Sequence, residues 1–218
     1  MSLQYKPQTA CQYLKRHDPV MADLIARVGK LAIEAEAEFE HSPFEALLRA
    51  IVYQQLHGKA AASIHARVLK LCRGGVTPRK ILNKDDDTLR AAGLSRNKVL
   101  AVQDLSRRTL DGTVPSLQEL VTLADDDIVE RLSSVRGIGR WTVEMMLIFK
   151  LGRPDVLPVA DLGVRKGYHF AYNTADLPNA AELTEAGKVW SPYRSVASWY
   201  LWRATDSVDW VRNPPIAL

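Results

Sequence analysis

Two glycines set between two arginines form the part of this chain best suited to gripping an anion. The stretch runs Leu132-Ser133-Ser134-Val135-Arg136-Gly137-Ile138-Gly139-Arg140-Trp141-Thr142. A polar-faced helix ends there, the chain turns, and an apolar helix begins. Gly137 is expected at positive φ, where a side chain would carry a steric penalty. Gly139 leaves the backbone bare at the start of the next helix. Exposed N–H groups at a helix N-terminus make a ready site for a phosphate. Arg140 and the Thr142 hydroxyl add donors beside it, and Arg136 adds charge. A tight αα-hairpin that used its glycines only for packing would carry the same letters. A second reactive feature is Asp161, a carboxylate at the start of a helix. Locally it reads as an N-cap, worth roughly 1 kcal/mol to the helix.

The elements that must position these residues are helical. Ser42-Pro43-Phe44-Glu45 lines up an N-cap, a Pro at the first helical position and a capping-box Glu, and opens a run to about Leu56. Runs follow over 59–72, 85–92, 95–110, 116–123 and 125–134, with a short helix from Thr77-Pro78. The segment Gly139 to Leu151 is apolar nearly all round, which predicts a buried central helix. Further helices are expected over 161–171, 179–188 and 192–205. Val156-Leu157-Pro158-Val159 is short and broken by proline, so it reads as an extended loop. The fold class is therefore all-α.

Composition narrows the chemistry. Two cysteines cannot build a four-cysteine zinc or iron–sulfur site, and the 5 histidines are scattered. No apolar run approaches the ~20 residues that span a bilayer. The N-terminal residues read as neither leader nor anchor, so an intracellular protein of the cytoplasm and nucleoid, or of a nucleus, is expected. Net charge is +4, but Gly58 to Thr109 holds 12 Lys and Arg against 4 acids. A basic middle third fits an anionic polymer as partner, although solvated helix faces look the same.

The hairpin resembles the helix-hairpin-helix of the DNA glycosylase superfamily. Leu157-Pro158-Val159-Ala160-Asp161-Leu162-Gly163-Val164-Arg165-Lys166 resembles the loop and helix that carry that superfamily's catalytic aspartate. Trp190-Ser191-Pro192-Tyr193-Arg194-Ser195 is similar to a segment of its alkylation-repair branch. Ala50 to Leu56, with Gln54 and Gln55, resembles a helix end that leads into the loop filling the gap left by a flipped base. These matches fall in the family's order over about 42–205.

The resemblance implies a two-lobed helical bundle, with residues 42–155 carrying the hairpin and residues 1–41 plus 156–218 forming the second lobe. It implies base excision from double-stranded DNA by a monomer, and removal of alkylated purines such as 3-methyladenine and 7-methylguanine. An enzyme for etheno, deaminated or oxidised bases is the alternative, and so is a helix-hairpin-helix module that only binds. Asp161 is the implied catalytic carboxylate. It would stabilise the positive charge that builds on the sugar as the glycosidic bond breaks. Trp141 and Tyr193 are the implied walls for the base. Gly137, Gly139, Arg140 and Thr142 would hold the DNA backbone, while Gln55 and Leu56 would act as wedge. The hairpin is implied to bind Na⁺ or K⁺ through carbonyls which, by position, are those of Ser133, Val135 and Ile138. No cofactor is required. Trp199, Tyr200 and Trp202 read as the core stripe of their helix. Two departures matter: the four clustered cysteines of the iron–sulfur branch are absent, and Trp141 stands where lyase-competent members have Lys.

Overall fold

The computed structural model describes residues 3–33 and 42–205. Among them there are α-helices and one 3₁₀ turn but no strand. None of these helices is long and apolar enough to cross a membrane. The first unit holds α1 (Pro7–His17), α2 (Pro19–Val28), α11 (Leu162–Tyr172), α12 (Ala180–Ala186), the 3₁₀ turn Gly187–Trp190 and α13 (Arg194–Ala204). The second holds α3 (Pro43–Tyr53), α4 (Gly58–Leu71), α5 (Pro78–Leu82), α6 (Asp86–Ala91), α7 (Arg96–Leu110), α8 (Leu117–Thr122) and α9 (Asp125–Ser133). The division falls between Val143 and Glu144, inside α10 (Arg140–Phe149).

The resemblance implies a boundary at residue 155 instead. Gln4 explains the earlier position, because its backbone N–H donates to the Gly152 carbonyl at 3.0 Å and its side chain to Leu151 O at 3.1 Å. The stretch after α10 thus belongs with the N-terminal helices. Helices α1 and α2 themselves lay outside the sequence reading. Their signal was present: Asp18 precedes Pro19, and its Oδ1 caps α2 by accepting from Met21 N at 3.0 Å.

Local chemistry sets the remaining starts. At α3 the Ser42 hydroxyl accepts from Glu45 N, and Glu45 Oε2 accepts from Ser42 N at 2.9 Å, closing the expected capping box. Ser95 caps α7 and Ser116 caps α8 in the same way through their hydroxyls. In the second unit α7 packs against α3, α5 and α6, burying Val99, Val102 and Leu105.

In the first unit α11 and α13 approach through Gly167. A Cβ there would lie 1.9 Å from the Leu201 carbonyl oxygen, so the two backbones meet where only hydrogen fits. Beneath them lies a buried polar knot. Asp18 Oδ2 accepts from Tyr172 OH and, at 2.7 Å, from Trp190 Nε1, while Trp190 is fully buried. Burial first, and the Asp18 charge second, push the Tyr172 hydroxyl well above the usual tyrosine range.

Candidate functional site

Asp161 is the N-cap of α11, as its place before Leu162 predicts. Its Oδ1 accepts from Val164 N at 2.8 Å and also from Trp202 Nε1 at 2.8 Å. Trp202 is therefore more than a core residue, which corrects the reading of its helix as a plain apolar stripe. Trp199 and Tyr200 are buried as that stripe requires, but Trp202 is half-buried and reaches the carboxylate. Gly163 makes room for it, since a Cβ there would stand 2.8 Å from Trp202 Cδ1. Two donors on one oxygen fix the carboxylate's orientation, so its charge is aimed before any substrate arrives.

The loop that delivers Asp161 is bracketed by the Trp190–Ser195 segment. Asp155 accepts from Arg194 Nε at 2.7 Å, Arg194 Nη2 at 2.9 Å and Ser191 Oγ at 2.8 Å. Ser195 N donates to Pro154 O, and Val156 N donates to the Ser195 hydroxyl, both at 2.9 Å. Burial alone would raise the Asp155 carboxyl, but the hydrogen bonds from Arg194 and Ser191 outweigh it and hold the group below the usual carboxylate range. Tyr193 lies in the same segment, half-buried, with its ring edge-on to Tyr13 at 5.4 Å and tilted against Tyr5 at 6.3 Å. Its ring thus packs with the N-terminal segment of its own unit.

The hairpin lies in the other unit. Gly137 takes φ +81°, as expected, and a Cβ there would meet Ala101 Cβ at 3.1 Å. Gly139 has an ordinary φ, and a Cβ there would meet no protein atom within 4 Å. The bare side of Gly139 therefore faces open space. Neither glycine N–H has an acceptor among the described residues. Arg136 N donates to Asp104 Oδ2 at 2.8 Å, and the Gly137 carbonyl accepts from Gln54 Nε2 at 2.8 Å. Arg140 is exposed, 4.0 Å from Asp126. Trp141 is 49% exposed, so α10 is not buried all round. Its buried face carries Val143, Leu147 and Ile148.

The hairpin also offers oxygen atoms. Val135 O uses one lone pair on Ile138 N at 3.0 Å, and the Ser133 hydroxyl is a buried oxygen with no hydrogen-bond partner. Oxygen donors of this kind suit a hard cation. The expected wedge residues stand on a turn after α3. Gln55 sits at φ +55°, a left-handed conformation rare for a residue of its kind, and Leu56 is 39% exposed.

Several cations of the basic stretch are tied to backbone carbonyls. Lys80 donates to three carbonyls, those of Arg73, Gly74 and Gly75. Arg67 Nε caps Ala92 O at 2.8 Å, and Lys98 Nζ is held by two carbonyls. These cations hold the fold together.

Residues 48–192 match the HhH-GPD superfamily of base excision DNA repair proteins. The chain belongs to that superfamily. Among its HhH-GPD relatives, DNA-3-methyladenine glycosylase 1 of Schizosaccharomyces pombe is 37% identical over 191 residues, spanning 87% of this chain and 83% of its own. The alkylbase DNA glycosidase-like protein mag2 of the same yeast is 30% identical, spanning 88% and 91%. Among solved structures, the S. pombe 3-methyladenine DNA glycosylase in complex with abasic DNA superposes with TM-score 0.79 at 34% identity, covering 92% of this chain and 98% of that one. The Bacillus halodurans DNA-3-methyladenine glycosidase gives TM-score 0.81 at 31% identity, covering 95% and 92%. An all-α helix-hairpin-helix fold is thus common to these proteins and this chain.

Proposed function

We propose that this protein hydrolyses the N-glycosidic bond of alkylated purines in double-stranded DNA, 3-methyladenine and 7-methylguanine among them. The observation that carries the reading is Asp161, aimed by Val164 N–H and by Trp202 Nε1. A module that only bound DNA would need the hairpin but would have no use for a carboxylate oriented in this way. The names of the relatives, a DNA-3-methyladenine glycosylase and an alkylbase DNA glycosidase-like protein, support the substrate class.

In the reaction the bond from C1′ to the base nitrogen breaks, and its electron pair leaves with the base. An alkylated cationic purine leaves neutral. The sugar carries the positive charge, which Asp161 stabilises across space. Water then adds its oxygen to C1′ and loses a proton, leaving an abasic strand. The lesion leaves the stack to be cut. Gln55 and Leu56 take its place, and Gly137, Gly139, Arg140 and Thr142 grip the backbone. Trp141 and Tyr193 are the aromatic walls, and an indole face favours a cationic base by roughly 0.5–2 kcal/mol. The hairpin's Ser133, Val135 and Ile138 carbonyls would hold a Na⁺ or K⁺ ion, whose charge would fix the turn's shape. The protein works as a monomer in the compartment that holds the genome.

The test is release of bases from methylated DNA. The wild type should free 3-methyladenine and 7-methylguanine, and Asp161→Asn should keep duplex affinity while losing several kcal/mol of barrier lowering. No release from methylated DNA, with release of hypoxanthine from an inosine-containing duplex run beside it, would move the substrate class. Excision by Asp161→Asn at the wild-type rate would remove the carboxylate from the chemistry.

A further inference from the structure

The turn proposed as wedge is bolted to the hairpin by two side chains, Gln54 and Lys98, to which no role in the reaction has yet been given. Helix α3 ends at Tyr53, and the last carbonyls of a helix lack partners within it. Lys98 supplies them: its Nζ donates to Val52 O at 2.7 Å and to Gln54 O at 2.9 Å. Burial pushes this ammonium below the usual lysine range, so its place is held by those carbonyls against a desolvation cost. Gln54 then sends its own side chain away from the turn, and Nε2 reaches Gly137 O at 2.8 Å. Directly after it comes Gln55 at φ +55°, with Leu56 N closing the turn on Tyr53 O at 3.3 Å.

Helix α7 is the common mount. Lys98 holds the turn, Ala101 lies under Gly137, and Asp104 takes the Arg136 N–H at 2.8 Å, at three-residue spacing along one helix. The exposed turn and the backbone-gripping hairpin therefore form one stiff body.

We infer that Gln54 and Lys98 are positioning residues that fix the height of the Gln55–Leu56 wedge relative to the hairpin, so that gripping the backbone drives the wedge into the stack. The inference rests on the proposed DNA-repair reading. It locates the device that opens the duplex, as distinct from the group that cuts the bond. A turn on a loose mount would yield when pushed against stacked bases. Opening a well-paired base costs a few kcal/mol, and an unpaired one much less. The mount should therefore matter for paired bases and be dispensable for unpaired ones.

The experiment compares wild type with Gln54→Met, Lys98→Met and Lys98→Arg, each confirmed as folded by its thermal melt. The first readout is 2-aminopurine emission in duplexes where the probe sits beside a paired or a mismatched position, at saturating protein. The second is single-turnover excision on paired and mismatched lesions. Both methionine variants should bind undamaged duplex as tightly as wild type. They should lose the emission rise on the paired duplex, and excise paired lesions roughly tenfold more slowly, while matching wild type on mismatched DNA. Lys98→Arg, which can still donate to both carbonyls, should restore most of the effect. Equal losses on paired and mismatched DNA, or emission unchanged in both methionine variants, would overturn the inference. A wild type that unstacks the probe but releases no base would overturn the proposed reaction and leave the wedge mount standing.

Discussion

At Asp161 a single oxygen serves two masters, the first turn of α11 and the indole of α13. The capping half was legible from the sequence, because an aspartate before a helical run has few other local explanations. The Trp202 half was not, since the two residues lie 41 positions apart and nothing periodic links them. Trp202→Phe should therefore keep the fold and slow excision by about tenfold or more, the range set by losing a hydrogen bond to a charged group. Single-turnover rates beside thermal melts check this, and an unaltered rate would reduce Trp202 to packing. The hairpin glycines separate in the same fashion. Gly137→Ala forces a side chain into φ +81° against Ala101, and should lower stability by about 1–2 kcal/mol along with binding. Gly139→Ala meets no protein atom and should cost below about 1 kcal/mol of folding through poorer capping. It should still weaken affinity for damaged and undamaged duplex alike, because phosphate contacts carry no sequence information. Duplex titrations of both variants decide whether the hairpin grips backbone or reads lesions.

Among the elements, the loop over 154–156 and the segment over 191–195 show why similarity to a family reached further than pattern. The Trp190–Ser195 stretch was noticed by its resemblance, yet its physical work is to clamp the loop that carries Asp161. Asp155→Asn should cost about 1–2 kcal/mol at pH 7, discounted for the partial exposure of the Arg194 pair. The sign follows from the depressed folded-state value. The stabilisation is complete above the ordinary aspartate value near 4, and fades as pH falls through the lower folded one. The gap between the denaturant curves of wild type and variant should then stay constant from pH 7 down to about pH 4 and close as pH falls further, and a gap that persisted in acid would point to shape in place of charge. Helix starts were legible at Ser42, Ser95 and Ser116, where a capping serine sits before the run. The first two helices went unread, although Asp18-Pro19 announced one of them. In the basic stretch, letters alone left a DNA-facing surface and solvated helix faces open, and could not show that Lys80, Lys98 and Arg67 point their hydrogens at carbonyls.

For the molecule as a whole, the question is which bond the overall chemistry can break. Trp141 stands two residues after Gly139, exposed, where lyase-competent relatives carry an amine. Lys98, on the helix that mounts the hairpin, has its ammonium held by two carbonyls. With an indole at that position and the Lys98 ammonium held by carbonyls, the product should be an intact abasic strand. Borohydride reduction during turnover should trap no protein–DNA adduct, and trapping in proportion to excision would assign a lyase step to some other residue. The helical class and the hairpin were plain in the sequence. The passage from one compact unit to the other was not, because bonds from Gln4 to Leu151 and Gly152 set it.

The contact at Gly167 has a genetic face. Every single-nucleotide change of a glycine codon that alters the residue without ending the chain brings in a Cβ. At this position that carbon lands on the Leu201 carbonyl. The gene thus has no mild missense allele there, and a lineage can leave glycine only if α11 and α13 part first. In a library of random variants sorted for survival under an alkylating agent, codon 167 should stay silent while conservative changes accumulate around it.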